Sequence, residues 1–107
     1  MKITSIPKLV SDLGMNFQDY ENIAKNIKRM SLISSEARQR ILDRANKNLS
    51  AELRKKAFPL IEQMAYDRQV FKIAGLKYSN GPPEGKGLFV TAIADYLLKN
   101  KNIQLHN

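Results

Sequence analysis

The chain has no cysteine and a single histidine, His106, at the penultimate of its 107 positions. Without cysteine there are no disulfides and no thiolate chemistry, and with one histidine a His/Cys metal site is excluded as well. A nucleophile activated by histidine would depend on that terminal residue, so we expect no enzyme activity, no cofactor and no metal. An intracellular, cytoplasmic location fits this composition best.

Long apolar runs are also missing. The longest uncharged apolar stretch, Leu88–Ala94, falls far short of the roughly 20 residues that a membrane helix needs. Pro7, Lys8 and Asp12 interrupt the first dozen residues, so no secretory signal is predicted. No stretch alternates apolar and polar residues in the manner of a half-buried strand, so no sheet is expected either.

Apolar residues instead recur at helical spacing, which predicts an all-α fold: one compact domain over residues 1–107 with five or six helices. The predicted helices are Ser5–Leu13, Asn16–Met30, Ser34–Leu49, Ser50–Gly75 and Leu88–Lys99. Proline removes a backbone amide from a helix, so Pro59 predicts a kink or a break in the fourth. The Gly- and Pro-rich segment 75–87 predicts an irregular loop, and residues 101–107 a frayed polar tail.

Positive charge is concentrated in the middle of the chain. Residues 25–56 contain ten Lys or Arg against three Asp or Glu, a net of +7 out of the formal +8 of the whole chain. Charge of one sign on a limited stretch indicates a polyanionic partner more than it indicates a fold. The alternative is a solvated helix surface that only confers solubility.

Acids placed four residues before bases favour the solubility reading, because such pairs stabilise a helix by about 0.2–0.5 kcal/mol each. The predicted pairs are Glu21/Lys25, Glu36/Arg40, Asp43/Lys47, Glu52/Lys56 and Asp95/Lys99. Six central bases have no partner of this kind: Lys28, Arg29, Arg38, Arg44, Arg54 and Lys55. Arg38 lies on the apolar face of the third helix, where either its stem follows the core and its head reaches water, or its head reaches a partner; we expect the first.

A ridge of cations on the third helix favours a polyanion-binding role. At 100° per residue, Arg40, Arg44 and Lys47 fall on one side, opposite Ile41, Leu42 and Ala45. We therefore expect phosphate contacts from Lys28, Arg29, Arg40, Arg44, Lys47, Arg54 and Lys55.

Residues 6–30 fit the spacing of a helix-turn-helix, with Gly14 in the turn. In that reading Asn16, Gln18 and Asn22 lie on the exposed side of the second helix, where amide side chains can pair with adenine edges. Asp19 and Glu21 on the same helix oppose contact with a negatively charged groove. An ordinary helical hairpin is the competing interpretation.

The loop before the last helix invites comparison with a phosphate-binding loop. It lacks the first glycine and the Ser/Thr of that motif, and no strand precedes it, so nucleotide hydrolysis is not expected. A weaker prediction remains: amides near Gly85 and Gly87, beside Lys86, could hold one anion.

The sequence thus predicts a small basic nucleic-acid-binding protein, first of all for duplex DNA, acting as a transcription regulator or an architectural factor. The competing hypothesis is a protein-interaction module that docks on an acidic protein through the apolar face of Leu88–Leu97, through Tyr78 or through the segment after Pro59. A homodimer is compatible with either.

Overall fold

The computed structural model describes residues 6–82 and 85–100, and within them every regular element is an α-helix. The six helices are α1 (Ile6–Ser11), α2 (Phe17–Ser31), α3 (Ser35–Asn48), α4 (Ala51–Ala65), α5 (Arg68–Ala74) and α6 (Gly87–Asn100). The prediction of an all-α domain with five or six helices is confirmed. The predicted cap at Ser5 and the predicted frayed tail at 101–107 lie outside the described residues.

Helix boundaries follow from local side-chain chemistry. The side chains of Asn16, Ser34 and Ser50 each accept a hydrogen bond from the third residue after them, which satisfies an amide that the first turn leaves unpaired. Asn16 and Asp19 form a complete capping box at the start of α2. Gly14 and Gly75 follow α1 and α5 with φ of +70° and +72°, a conformation that costs glycine little. The sequence predicted the caps at Asn16 and Ser50 and the two glycines, it left Ser34 and Ser35 as alternatives for α3, and it did not predict the part that Asp19 plays in the capping box.

Helices α2 and α6 make most of the packing contacts between elements. One side of α2 is covered, and its buried residues are Tyr20, Ile23, Ala24, Ile27 and Met30. Helix α2 packs against α5 and α6, α3 and α4 pack on α6, and α1 bridges α2 and α4. Phe17 departs from the predicted apolar stripe: it is 54% exposed and stacks on the ring of Tyr20.

The helix does not break at Pro59, so of the two predicted outcomes, a kink or a break, the break does not occur there. Helix α4 runs through Pro59 to Ala65, and the chain changes direction only at Tyr66 and Asp67. Pro59 is exposed, so its ring and the unpaired carbonyl of Lys55 lie on the solvent side, where water can replace the missing amide. The side chain of Asp67 then caps α5 by accepting from the amide of Gln69 at 2.9 Å.

A hydrogen bond between distant parts of the chain fixes the junction of α4 and α5 against α2. The hydroxyl of Tyr20 donates to Oδ2 of Asp67 at 2.6 Å, and Tyr20 is only 4% exposed. Burial and the neighbouring carboxylate both raise the pKa of Tyr20 above its ordinary value, because each disfavours the phenolate. Asp67 therefore both caps α5 and accepts the hydrogen bond that connects this junction to α2.

We expect Tyr20→Phe to lower the free energy of unfolding by about 1.5–3 kcal/mol, because it removes a hydrogen bond to a charged group. The raised pKa adds a pH dependence: above about pH 10 the unfolded tyrosine loses its proton while the folded one keeps it, so the wild type loses stability as pH rises. Urea denaturation should show that the difference in free energy of unfolding between wild type and variant is smaller at about pH 11 than at about pH 8. A difference that stays constant would show that this phenol does not titrate as described.

We expect Pro59→Ala to stabilise the protein by about 1–3 kcal/mol, because alanine restores the amide that bonds to Lys55 within a continuous helix. The loss of proline's rigidity in the unfolded chain offsets only about 0.4–1 kcal/mol of this. Thermal unfolding followed by circular dichroism would measure the gain. A lower midpoint for the variant would mean that packing requires a distortion at Pro59.

Candidate nucleic-acid interface

The three cations predicted to form a ridge on α3 all point into solvent. Arg40, Arg44 and Lys47 are exposed, whereas Ala45 on the opposite side is fully buried. Helix α3 packs against α6 through that opposite side. The amphipathic pattern of α3 thus leaves its cations directed away from the core.

Only two of the five predicted helical ion pairs are formed. Lys56 lies 3.7 Å from Glu52, and Lys99 lies 3.3 Å from Asp95. In the described part of the chain no ion pair joins Glu36 to Arg40 or Asp43 to Lys47, and the same holds for Glu21 and Lys25. Asp43 instead accepts a hydrogen bond from the amide of Gln39 at 2.9 Å. The α3 cations are consequently less compensated than the sequence indicated.

The junction of α3 and α4 brings cations of two helices to one place. Nη1 of Arg54, in the first turn of α4, donates to the carbonyl of Asn46 in the last turn of α3 at 3.4 Å. Lys47 follows Asn46 directly, and Lys55 follows Arg54. We define the basic surface as the set of exposed residues Arg40, Arg44, Lys47, Arg54 and Lys55, none of which forms an ion pair within residues 6–82 and 85–100.

Two further predicted phosphate contacts, Lys28 and Arg29, lie on α2 instead. Both are exposed, and Arg29 lines a polar cleft of about 300 Å³ between α2 and α6. That cleft also contains Asn22, Lys25 and Lys99. No lining residue is shared between this cleft and the basic surface, so the structure separates these cations from those of α3 and α4.

The amides predicted to read bases are used within the fold. Asn16 caps α2, and Nε2 of Gln18 donates to Oδ1 of Asn22 at 3.2 Å. Asn22 in turn donates to the hydroxyl of Tyr96 on α6 at 3.4 Å. These amide side chains therefore take part in contacts within α2 and, through Asn22, between α2 and α6.

Arg38 is half-buried, and its head group contacts protein carbonyls, which differs from the favoured expectation that it would reach water. Its Nη1 donates to the carbonyl of Met30 at 3.0 Å and to that of Ile33 at 2.9 Å. These carbonyls lie at the C-terminal end of α2, where the helix dipole favours a cation. Arg38 is thus a structural residue that joins α3 to the end of α2.

The predicted anion loop is occupied by internal contacts. Nζ of Lys86 is hydrogen bonded and ion paired to Glu62, which raises the pKa of Lys86, and it lies 5.4 Å from the centre of the Tyr66 ring. Gly81 packs against that same ring so closely that a Cβ would lie 2.5 Å from Cε1. Gly85 has a φ of +88°, and Gly87 begins α6. The charge of Lys86 is therefore already compensated by a carboxylate.

Tyr78, which the sequence offered as a stacking residue, belongs to the edge of the core. Its ring meets Phe71 edge-on at 4.9 Å between centroids, and the guanidinium of Arg68 lies 4.5 Å above it. Most of the wide apolar face of α6 is likewise buried: Ile93 and Leu97 are fully covered, and Val90 is half-buried. Tyr78 therefore offers no free contact surface, and the apolar face of α6 offers one only at its half-buried residues.

Sequence reasoning missed a polar network between α2 and α6. Nδ2 of Asn26 donates to Oδ2 of Asp95 at 3.1 Å and to the carbonyl of Ala92 at 2.9 Å. The hydroxyl of Tyr96 donates to Oδ1 of Asp19 at 2.5 Å, and burial together with this bond raises the pKa of Tyr96. The spacing of Asn22 and Asn26 by one helical turn was the available signal, but it does not reveal a partner about 70 residues away.

Two classes of site find no support in the described residues. No group of three or more His, Cys, Asp or Glu side chains could hold a metal ion there. None of the helices in residues 6–82 and 85–100 combines the length and the apolar character that crossing a bilayer requires.

Comparison of the chain with protein-family models, with curated proteins and with solved structures finds no match. What this protein binds therefore has to be inferred from the chemistry of the basic surface.

We expect Arg38→Met to lower the free energy of unfolding by about 1.5–3 kcal/mol, because it leaves two carbonyls at the end of α2 without their charged donor. Arg44→Met is the matched control on the same helix, since Arg44 is exposed, and its cost should stay under about 0.5 kcal/mol. Chemical denaturation of both variants would measure the difference. Equal effects would contradict the structural role of Arg38.

Proposed function

We propose that this protein binds nucleic acid through its phosphates, with duplex DNA as the first candidate, at the basic surface formed by α3 and α4. The observation that carries the proposal is the set of five exposed cations without ion-pair partners in the described part of the chain. A role in transcription regulation or DNA architecture stays a prediction from the size and charge of the chain.

The positive charges of the basic surface are not neutralised by nearby acids, and this favours a ligand-binding role over solubility alone. A helix surface that served only solubility would be stabilised by ion pairs between its cations and acids one turn away, and Glu36 and Asp43 have the spacing for such pairs. Arg40 and Lys47 are nevertheless unpaired in residues 6–82 and 85–100. Unpaired guanidinium and ammonium groups can exchange their counterions for phosphate oxygens without first breaking an internal bond.

The geometry supports contact with the backbone of the duplex better than reading of its bases. The amides of Asn16, Gln18 and Asn22 take part in hydrogen bonds on α2, and the basic surface itself contains only Lys and Arg. Binding by phosphate contacts alone carries little sequence information. We therefore propose weak sequence preference and strong salt dependence.

The test is a triple variant, Arg40→Ala with Arg44→Ala and Lys47→Ala, titrated into a fluorescent duplex at several salt concentrations. Each phosphate contact that is lost should reduce the log–log salt slope by about 0.9, so the slope should fall by up to about 2.7. The fold should survive because all three residues are exposed.

A second triple variant controls for net charge. Lys8→Ala, Lys72→Ala and Lys77→Ala remove the same number of positive charges from exposed positions outside residues 25–56. The control should keep most of the affinity and the slope. Equal losses in both variants would mean that binding follows overall charge and not this surface, and unchanged binding in the first variant would refute the proposal.

A further inference from the structure

An apolar groove lies beside the basic surface, between α4 and α6. It has a volume of about 390 Å³, and it is lined by one face of each helix together with the end of α3. On α6 the lining residues are Val90, Ile93, Ala94 and Leu97, spaced as neighbours along one helical face. Its floor belongs to the hydrophobic core, since Ile93 and Leu97 are fully buried, and Val90 at its edge is half-buried.

Phe58 makes this groove more than a gap in packing. It lines the groove from α4 and is 65% exposed, although burial of an aromatic side chain is favourable. Its neighbour Pro59 is also exposed, so this part of α4 presents an aromatic ring and no helix or loop of the described residues covers it. An exposed aromatic side chain beside an apolar groove is the usual composition of an anchor site for a partner.

The charges at the rim indicate the chemistry of that partner. Arg54 and Lys55 line the groove, and no Asp or Glu does. Lys55 forms no ion pair in residues 6–82 and 85–100, and Arg54 uses one nitrogen on the carbonyl of Asn46, which leaves other donors of its guanidinium available. A ligand that fills the groove would therefore gain from carboxylates placed along one edge.

We propose that this groove docks an amphipathic helix of a partner protein, with apolar residues on one face and Asp or Glu on the flank that meets Arg54 and Lys55. A helix suits the site because both walls are helical faces and because no strand edge is present in the described residues for a β-strand to join. Nucleic acid would leave the apolar floor unused. A second copy of this chain, with a formal net charge of +8, is a poor electrostatic match.

The probe is a fluorescein-labelled peptide about 15 residues long, with leucines at helical spacing and glutamates on one flank of the leucine face. A matched peptide carries glutamine in place of every glutamate. Fluorescence anisotropy should show that the glutamate peptide binds at least about fivefold more tightly than the glutamine peptide, and that added salt reduces this ratio. Absence of binding up to about 1 mM peptide would overturn the proposal, and so would equal affinity of the two peptides.

Two variants locate the site. Phe58→Ala should weaken binding of the glutamate peptide by about tenfold or more, whereas Leu32→Ala, which removes a side chain that is 76% exposed and lies outside the groove, should not. Arg54→Gln with Lys55→Gln should abolish the preference for the glutamate peptide and leave the glutamine peptide unaffected. If the two alanine variants behave alike, the peptide binds elsewhere and the proposal fails.

Sedimentation of the free protein tests whether a second copy of the chain occupies the groove. A monomer at all concentrations supports a groove that is open to a partner. A dimer that Phe58→Ala dissociates would assign the groove to a second copy and overturn the proposal. The duplex titration of the α3 triple variant is independent of both results, because Arg40, Arg44 and Lys47 do not line the groove.

Discussion

The covered side of α2 includes polar groups, and the fold depends on the hydrogen bonds that compensate for their burial. Its polar side chains would lose water without compensation if its neighbours offered only apolar surface. Tyr20 finds Asp67 at the break between α4 and α5, and Asn26 finds Asp95 on α6. Arg38 then supplies the donor for the carbonyls at the end of α2. The core is thus positioned by directional contacts as well as by apolar packing.

The exposed cations of residues 25–56 lie in separate places because three different helices carry them. Lys25 and Arg29 lie on α2 and share a cleft with α6. The cations of the basic surface lie on the solvent sides of α3 and α4. Each of these helices buries one side, so its other side is free to carry charge.

The basic surface and the apolar groove share Arg54 and Lys55. A polyanion on the first and an acidic helix on the second would draw on the same two charges, so the two ligands would compete where they meet. Desolvation strengthens this competition, because a carboxylate held at the rim of an apolar groove is less screened than one on an open helix. The proximity of the two sites would let a protein partner reduce the affinity for nucleic acid.

Much of this molecule is determined by interactions within a few residues along the chain. Apolar spacing and the caps at Asn16, Ser34 and Ser50 determine the helices and most of their boundaries, since each depends on groups within one or two turns. Exposure of the α3 cations follows from the same periodicity. Local pattern therefore predicted the fold class and the charged face.

Tertiary structure decided what local pattern could not. Whether a helix continues through Pro59 depends on which side of α4 meets water, and the role of Arg38 depends on where α2 ends. The groove beside Phe58 exists only because α4 and α6, far apart in sequence, pack with a gap between them. The sequence does not reveal whether the amide of Asn22 or the ammonium group of Lys86 is free or paired. This depends on side chains of distant helices, since Asn22 contacts Tyr96 and Lys86 contacts Glu62.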